Sequence, residues 1–323
     1  MSRGDRQELI YEDNRDREVF LATLGEICER TGFSVHSYVL MSNHYHLLLE
    51  TPEPNLVLGM TWLQGTYTAR FNARHRKKGH LFQGRYKAIP IEAEEPDYFR
   101  TVSDYIHLNP VRAGLVGGQK ADILDYPWSS LPALVGRVKR PAWLDDTRVL
   151  AVLGATANDA KNRRRLLEYL RERATEILAR KGQQDAKEWK LVRRGWYIGG
   201  EAFCERLQEM AGELIAGRKR KSYTPDGLSR HDENQALRIL SAVLENWELE
   251  LEELRKLRQN DARKQAVGWL LKARTMVSVD WICETLNMGD GSNLRRAVSA
   301  FRTPQNRAVK KLKREIMHIC RLR

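Results

Sequence analysis

The chain has 323 residues and carries 55 basic against 42 acidic side chains, a formal charge of +13, with 42% hydrophobic and 30% charged residues. That is about twice the ~150 residues of an average domain, at a composition ordinary for globular protein. No apolar run approaches the roughly 18 residues of a membrane-spanning helix, residues 1–5 do not read as a signal peptide, and four scattered cysteines argue against a disulfide framework or a cysteine-rich zinc module. A soluble, cytoplasmic protein is the expectation. The charge is unevenly placed. Residues 1–150 hold 19 basic and 19 acidic side chains, so residues 151–323, with 36 against 23, hold the whole excess. A basic second half predicts a polyanion partner, because a positive surface attracts phosphates and releases their counterions.

Residues 14–30 read as an amphipathic helix with Phe20, Leu24 and Ile27 on one stripe, ended by Gly32. Residues 33–41 are β-branched and aromatic, Ser42-Asn43 is a turn signal, and residues 44–50 form a second strand that completes a hairpin. Pro52 and Pro54 stop it, and a helix follows with Leu56, Met60, Leu63, Tyr67 and Phe71 as its stripe. Arg70, Arg74, Arg76, Lys77, Lys78, Arg85 and Lys87 then follow with no acidic residue among them and with Phe71, His75, His80, Phe82 and Tyr86 interleaved. Cations for phosphates and flat rings for unpaired bases are what a single-strand binder needs. Residues 85–91 read as a short strand, and a helix opened by Pro96 runs to about Leu108, ahead of Pro110. The order predicts an α+β domain over residues 1–130, a small antiparallel sheet with helices on one face.

Residues 131–156 read as a linker, and residues 157–323 as an all-helical basic region. Residues 158–180 form a long helix containing Arg163, Arg164 and Arg165, and further basic clusters occur at residues 193–194 and 218–221. Residues 262–273 are helical, Ser278 can cap a helix through Leu286, Gly289-Asp290-Gly291 makes a turn, and Ser292 can cap a last helix. This is a helix-turn-helix pattern over about 262–302 that would present Asn293, Arg295 and Arg296 to a major groove.

The chemistry concentrates in His44-Tyr45-His46. Residues i and i+2 of a strand share a face, so the two imidazoles sit side by side and Tyr45 points away. Two neutral imidazoles on one face are a ready pair of ligands for a divalent metal. Tyr105 and Asn109 are four residues apart, on one helix face if the helix persists past the residue before Pro110.

Residues 41–49 (MSNHYHLLL), 79–87 (GHLFQGRYK) and 105–116 (YIHLNPVRAGLV) together resemble the single-tyrosine HUH transposases, and within them the REP-associated tyrosine transposases. The resemblance covers residues 2–128. It implies a ferredoxin-like sheet and a metal-dependent nuclease acting on single-stranded or hairpin DNA that contains palindromic repeats. In that pattern His44 and His46 are the paired metal ligands, Tyr105 is the nucleophile, Asn109 is a third metal-facing group and Arg112 joins the DNA-binding cations. Hard oxygen chemistry favours magnesium or manganese as the metal, although imidazole pairs also tolerate zinc, nickel and copper. The family's usual first strand, ahead of the Ser2-Arg3-Gly4 segment, is expected to be absent, which would leave a bare sheet edge and mean either a start farther upstream or a degraded copy. Two other readings of the residues stay open, a non-catalytic DNA-binding regulator derived from the same family and a metal-dependent hydrolase that attacks with water. The oligomeric state, monomer or homodimer, is open as well.

Overall fold

The computed structural model describes residues 1–117, 121–155, 157, 159–179, 195–216, 226–275 and 277–319. Packing divides the chain into two compact units. Met1–Cys28, Gly32–Pro52 and Gly59–Lys221 form the first, and Glu29–Thr31, Glu53–Leu58 and Ser222–Arg323 the second. Among the described residues no helix is long and apolar enough to cross a membrane. The basic residues 193–194 and 218–221 lie outside the described residues.

The first unit is α+β. Strands β1 (Ser2–Arg3), β2 (Ser34–Leu40) and β3 (His44–Glu50) form an antiparallel sheet in the order β1-β3-β2. Strands β2 and β3 are the expected hairpin, paired from Ser34 opposite Glu50 to Leu40 opposite Tyr45. Strand β1 sets Ser2 against Tyr45 and Arg3 against His44, so the edge of β3 expected to be bare is covered at the end that carries the histidines. Helix α1 (Asn14–Thr31) starts where the Asp13 carboxylate accepts from the Asp16 amide, and it ends at Gly32, whose φ of +73° suits a left-handed cap.

Helices cover both faces of the sheet, which corrects the expectation of one. On one face Tyr45 packs against Phe20 of α1, 4.8 Å between ring centroids, and its hydroxyl lies 3.3 Å from Gln64 of α2 (Leu56–His75). On the other, His46 meets Tyr105 of α3 (Pro96–His107). Large side chains bury on both sides of β3, and each side therefore needs a helical layer.

Residues 85–91 do not form the expected strand. They and the residues before them follow the outer side of β1 by separate bonds, Gln83 N–H to the Arg3 carbonyl and Lys87 N–H to the Met1 carbonyl, both 2.9 Å. Ile91 alone in that stretch makes a bridge, to Ile198. Pro90, which has no N–H to donate, keeps the stretch from becoming a ladder. Of the expected linker, residues 131–155 are described, and they are packed rather than extended. After α4 (Asn109–Arg112), the chain runs along the free edge of β2, where Leu40 N–H reaches the Trp128 carbonyl (2.8 Å) and Asp145 N–H the Val35 carbonyl (2.8 Å). Helices α5 (Leu131–Leu134) and α6 (Thr147–Ala151) bury Leu131, Leu134, Val149 and Leu150, and Leu144 between them is fully buried. An edge strand left open invites pairing with another chain, and this segment closes it. Helices α7 (Ala160–Ala179) and α8 (Glu201–Ala216) complete the unit's described elements.

The second unit contains α9 (Asp226–Asn246), α10 (Leu251–Lys256), α11 (Ala262–Arg274), α12 (Val279–Leu286), α13 (Gly291–Arg302) and α14 (Arg307–Ile319). Helix α11 is its centre, with Ala266, Val267, Leu270 and Leu271 fully buried. Lys264 is also fully buried, and its Nζ donates to the carbonyls of Arg255 and Leu257 (2.8 Å each) and Asn287 (3.1 Å). One ammonium thus satisfies carbonyls that α10 and α12 leave open at their C-terminal ends. Ser278 caps α12 through the Trp281 amide, as expected. Helix α13 starts two residues earlier than expected, because Asp290 rather than Ser292 is the cap and accepts from the Ser292 amide at 2.7 Å. A carboxylate there also meets the positive end of the helix dipole.

Candidate active site

The β2–β3 turn fixes the first imidazole. Asn43 in that turn donates from Nδ2 to the Gln7 carbonyl (3.0 Å), which aims its Oδ1 at His44 Nδ1, 2.8 Å away. An amide oxygen only accepts, so the ring proton of His44 sits on Nδ1 and the Nε2 lone pair remains for a ligand. Strand alternation then sets His46 on the same face, with ring centroids 5.2 Å apart and planes 85° apart. Burial lowers both pKa values. His44 falls to about 4, with Arg3 adding to the effect, and His46 falls well below the usual histidine range, with the charge of His44 adding to it. Both rings are therefore neutral at pH 7.

Tyr105, near the end of α3, is the third member. Its ring lies 5.3 Å from that of His46 at 77°, it is 6% exposed, and the Arg112 guanidinium lies 5.1 Å from its centroid. Leu108, at φ −92° and ψ 4°, interrupts the helix, and α4 restarts with Pro110 in its first turn. Tyr105 and Asn109 therefore occupy successive helices instead of one face of one helix. Asn109 is half-buried at the start of α4.

Buried hydrogen bonds anchor α3 beneath this group. His107 Nε2 is 2.8 Å from Ser130 Oγ, and Ser103 Oγ is 3.0 Å from Ser37 Oγ on β2. Burial lowers the His107 pKa to about 3. Tyr169 of α7 donates its hydroxyl to Asp104, the neighbour of Tyr105.

The donor set fits a divalent ion. Two neutral imidazoles supply nitrogen ligands and leave positions for oxygen. Among the described residues no cluster of three or more His, Cys, Asp or Glu side chains could hold a metal. Further ligands would thus be carboxamide, water or phosphate oxygens, a mixture that hard ions such as magnesium and manganese accept.

The basic stretch after α2 divides in two. Arg70 pairs with Glu26 at 2.9 Å, Arg74 with Asp13 and Asp16 at 2.6 Å each, and Lys77 with Glu12. These three are committed to carboxylates of α1 and the residues before it, while Arg76, Lys78, Arg85 and Lys87 are exposed. In the second unit Asn293 is occupied, since its Nδ2 donates to the Met288 carbonyl at 2.7 Å and braces the turn before α13. Arg295 and Arg296 are exposed on α13. The composition of the stretch could not show which of its cations meet carboxylates. The Asn43 contact also went unread, because a turn asparagine is already explained by its turn.

A family model described as transposase, IS200-like, matches residues 3–109. That span includes both histidines, Tyr105 and Asn109. No curated protein and no solved structure matches the chain.

Proposed function

We propose that the first unit, whose residues 3–109 match the IS200-like transposase family model, nicks and rejoins single-stranded DNA through a tyrosine-linked intermediate. The observation that carries the reading is the grouping of His44, His46 and Tyr105 on one face of β3. A transposase acts on DNA; of the interleaved rings Phe71 and Phe82 are buried and His75 meets Glu12 and Asp16, but exposed Arg76, Lys78, His80, Arg85 and Lys87 with half-buried Tyr86 suit an unpaired strand. The motif match to REP-associated transposases favours hairpin-flanked, palindromic sites. A ferredoxin-like ancestry for the sheet and a helix-turn-helix over α12 and α13, offering Arg295 and Arg296 to duplex DNA, belong to the same reading.

The Tyr105 phenol oxygen attacks the scissile phosphorus, a new P–O bond forms, and the bond to the 3′ oxygen breaks. The phenol proton leaves to solvent and the departing 3′ oxygen takes one up, so a 5′-phosphotyrosine and a free 3′-hydroxyl result. One phosphodiester replaces another, and rejoining by the reverse step needs no ATP. A free phenol ionises near pH ~10 and is a weak nucleophile at neutral pH. Arg112 beside the ring supplies positive charge where the phenolate and phosphate must meet. His44 and His46 would hold magnesium or manganese, which when bound polarises the phosphate and offsets developing charge. Replacing either histidine with alanine, or adding a chelator, is expected to abolish cleavage of a hairpin-flanked single strand. Cleavage at the wild-type rate by either variant would overturn the metal-holding role.

A further inference from the structure

Helices α13 and α14 gather charge that ion pairs with the described residues do not neutralise. Residues 291–319 contain eight basic side chains and one acidic, Glu315, whose carboxylate accepts from Trp247 Nε1 at 2.6 Å. On α14, Arg307, Lys310, Lys311 and Arg314 are all exposed and fall at i, i+3, i+4 and i+7, a single stripe along one face. None of the four makes an ion pair with a described residue. The contrast with Arg70, Arg74 and Lys77, each met by a carboxylate, is direct. Like charges at these spacings destabilise an isolated helix, so folding alone does not account for the arrangement.

The opposite face of α14 identifies the kind of anion. Ile316 and Ile319 are buried in the core of this unit and Leu312 packs against it, so α14 has no apolar face left to enter a lipid surface. Phe301, the one Phe, Tyr or Trp among residues 291–319, is buried in a stack with Trp269, so the surface offers an unpaired base no ring but the His318 imidazole. Beside the stripe a groove of about 390 Å³ is lined by Pro304, Lys310, Lys313, Arg314, Met317 and His318, without a carboxylate. Exposed Arg295, Arg296 and Arg302 on α13 extend the positive surface.

We propose that the Arg307–Lys310–Lys311–Arg314 stripe of α14 is a docking surface for the phosphate backbone of duplex DNA, separate from the single-strand chemistry of the first unit. The inference rests on the transposase reading only for the identity of the polyanion. The test replaces all four residues with glutamine in the full chain and measures binding of a duplex oligonucleotide across salt concentrations. Each lost phosphate contact removes about 0.9 from the log–log salt slope, so the quadruple variant is expected to lose about 3 to 4, and single variants about 0.9 each. Its single-strand cleavage and its thermal unfolding should match those of the unaltered chain. A salt slope unchanged by the quadruple substitution would overturn the proposal. So would a quadruple variant whose loss of affinity for anionic vesicles or for a single strand is as large as its loss for the duplex. A chain that fails to cleave DNA but shows the predicted slope loss would support this surface and count against the nuclease reading alone.

Discussion

Asn43 shows how one side chain can prepare a ligand it does not join. Its amide is turned by the Gln7 carbonyl, and the turned oxygen selects the tautomer of His44. Partners of this kind fix ring orientation and raise ligand basicity, and losing one typically costs about 10–100-fold in metal affinity. Asn43→Ala should therefore weaken manganese binding by about that factor, measured by calorimetry on a protein whose circular dichroism is unchanged. Asn43→Asp keeps an acceptor at the site and should retain most of the affinity. Equal affinity in the alanine variant and the unaltered chain would show that the hydrogen bond has no part in preparing the ring. The histidine pair itself was legible, since period-two alternation alone puts His44 and His46 on one face and Tyr45 on the other, as their contacts bear out.

At the scale of elements, the attachment of α3 to β2 decides where Tyr105 sits; Ser103 bonds Ser37 directly, and His107 reaches the strand through Ser130, whose hydroxyl accepts from the Tyr38 amide. The native ring resists protonation until about pH 3, whereas the unfolded chain takes a proton near the ordinary 6.5. Between those values the unfolded state binds the extra proton, so this group's contribution is full above 6.5 and is lost as pH falls toward 3. Urea unfolding between pH 6 and pH 4 should show a dependence on pH that is shallower in His107→Leu than in the unaltered chain by about 1.4 kcal/mol per pH unit. Parallel dependences would mean that His107 is not held neutral in the fold. The helices α1, α2, α3 and α12 and the hairpin were readable from periodicity and turn residues, because local spacing determines them. Residues 131–156 were not. Their prolines and glycines resemble a linker, and only the open edge of β2, nearly a hundred residues earlier in the chain, explains why Leu131, Leu134 and Leu144 are buried.

Across the whole molecule, counting charge by halves located the excess but not the cations that are available to a partner. Arg74 finds its carboxylates 58 and 61 residues away in sequence, a pairing that composition does not reveal. The stripe on α14 is the converse case, where helical spacing gathers cations and no carboxylate among the described residues pairs with them. The first unit therefore carries the proposed chemistry and the second a surface suited to duplex phosphates. The chemistry turns on Tyr105, and the phenolic oxygen can be removed with little change in packing. The unaltered chain and Tyr105→Phe would be incubated with a hairpin-flanked single strand and magnesium or manganese, denatured, digested and mapped by mass spectrometry. The account predicts a 5′-phosphodeoxynucleotide attached to Tyr105 in the unaltered chain and no attached nucleotide in Tyr105→Phe. An adduct that persists in Tyr105→Phe, or cleavage by the unaltered chain that leaves no tyrosine adduct, would contradict it.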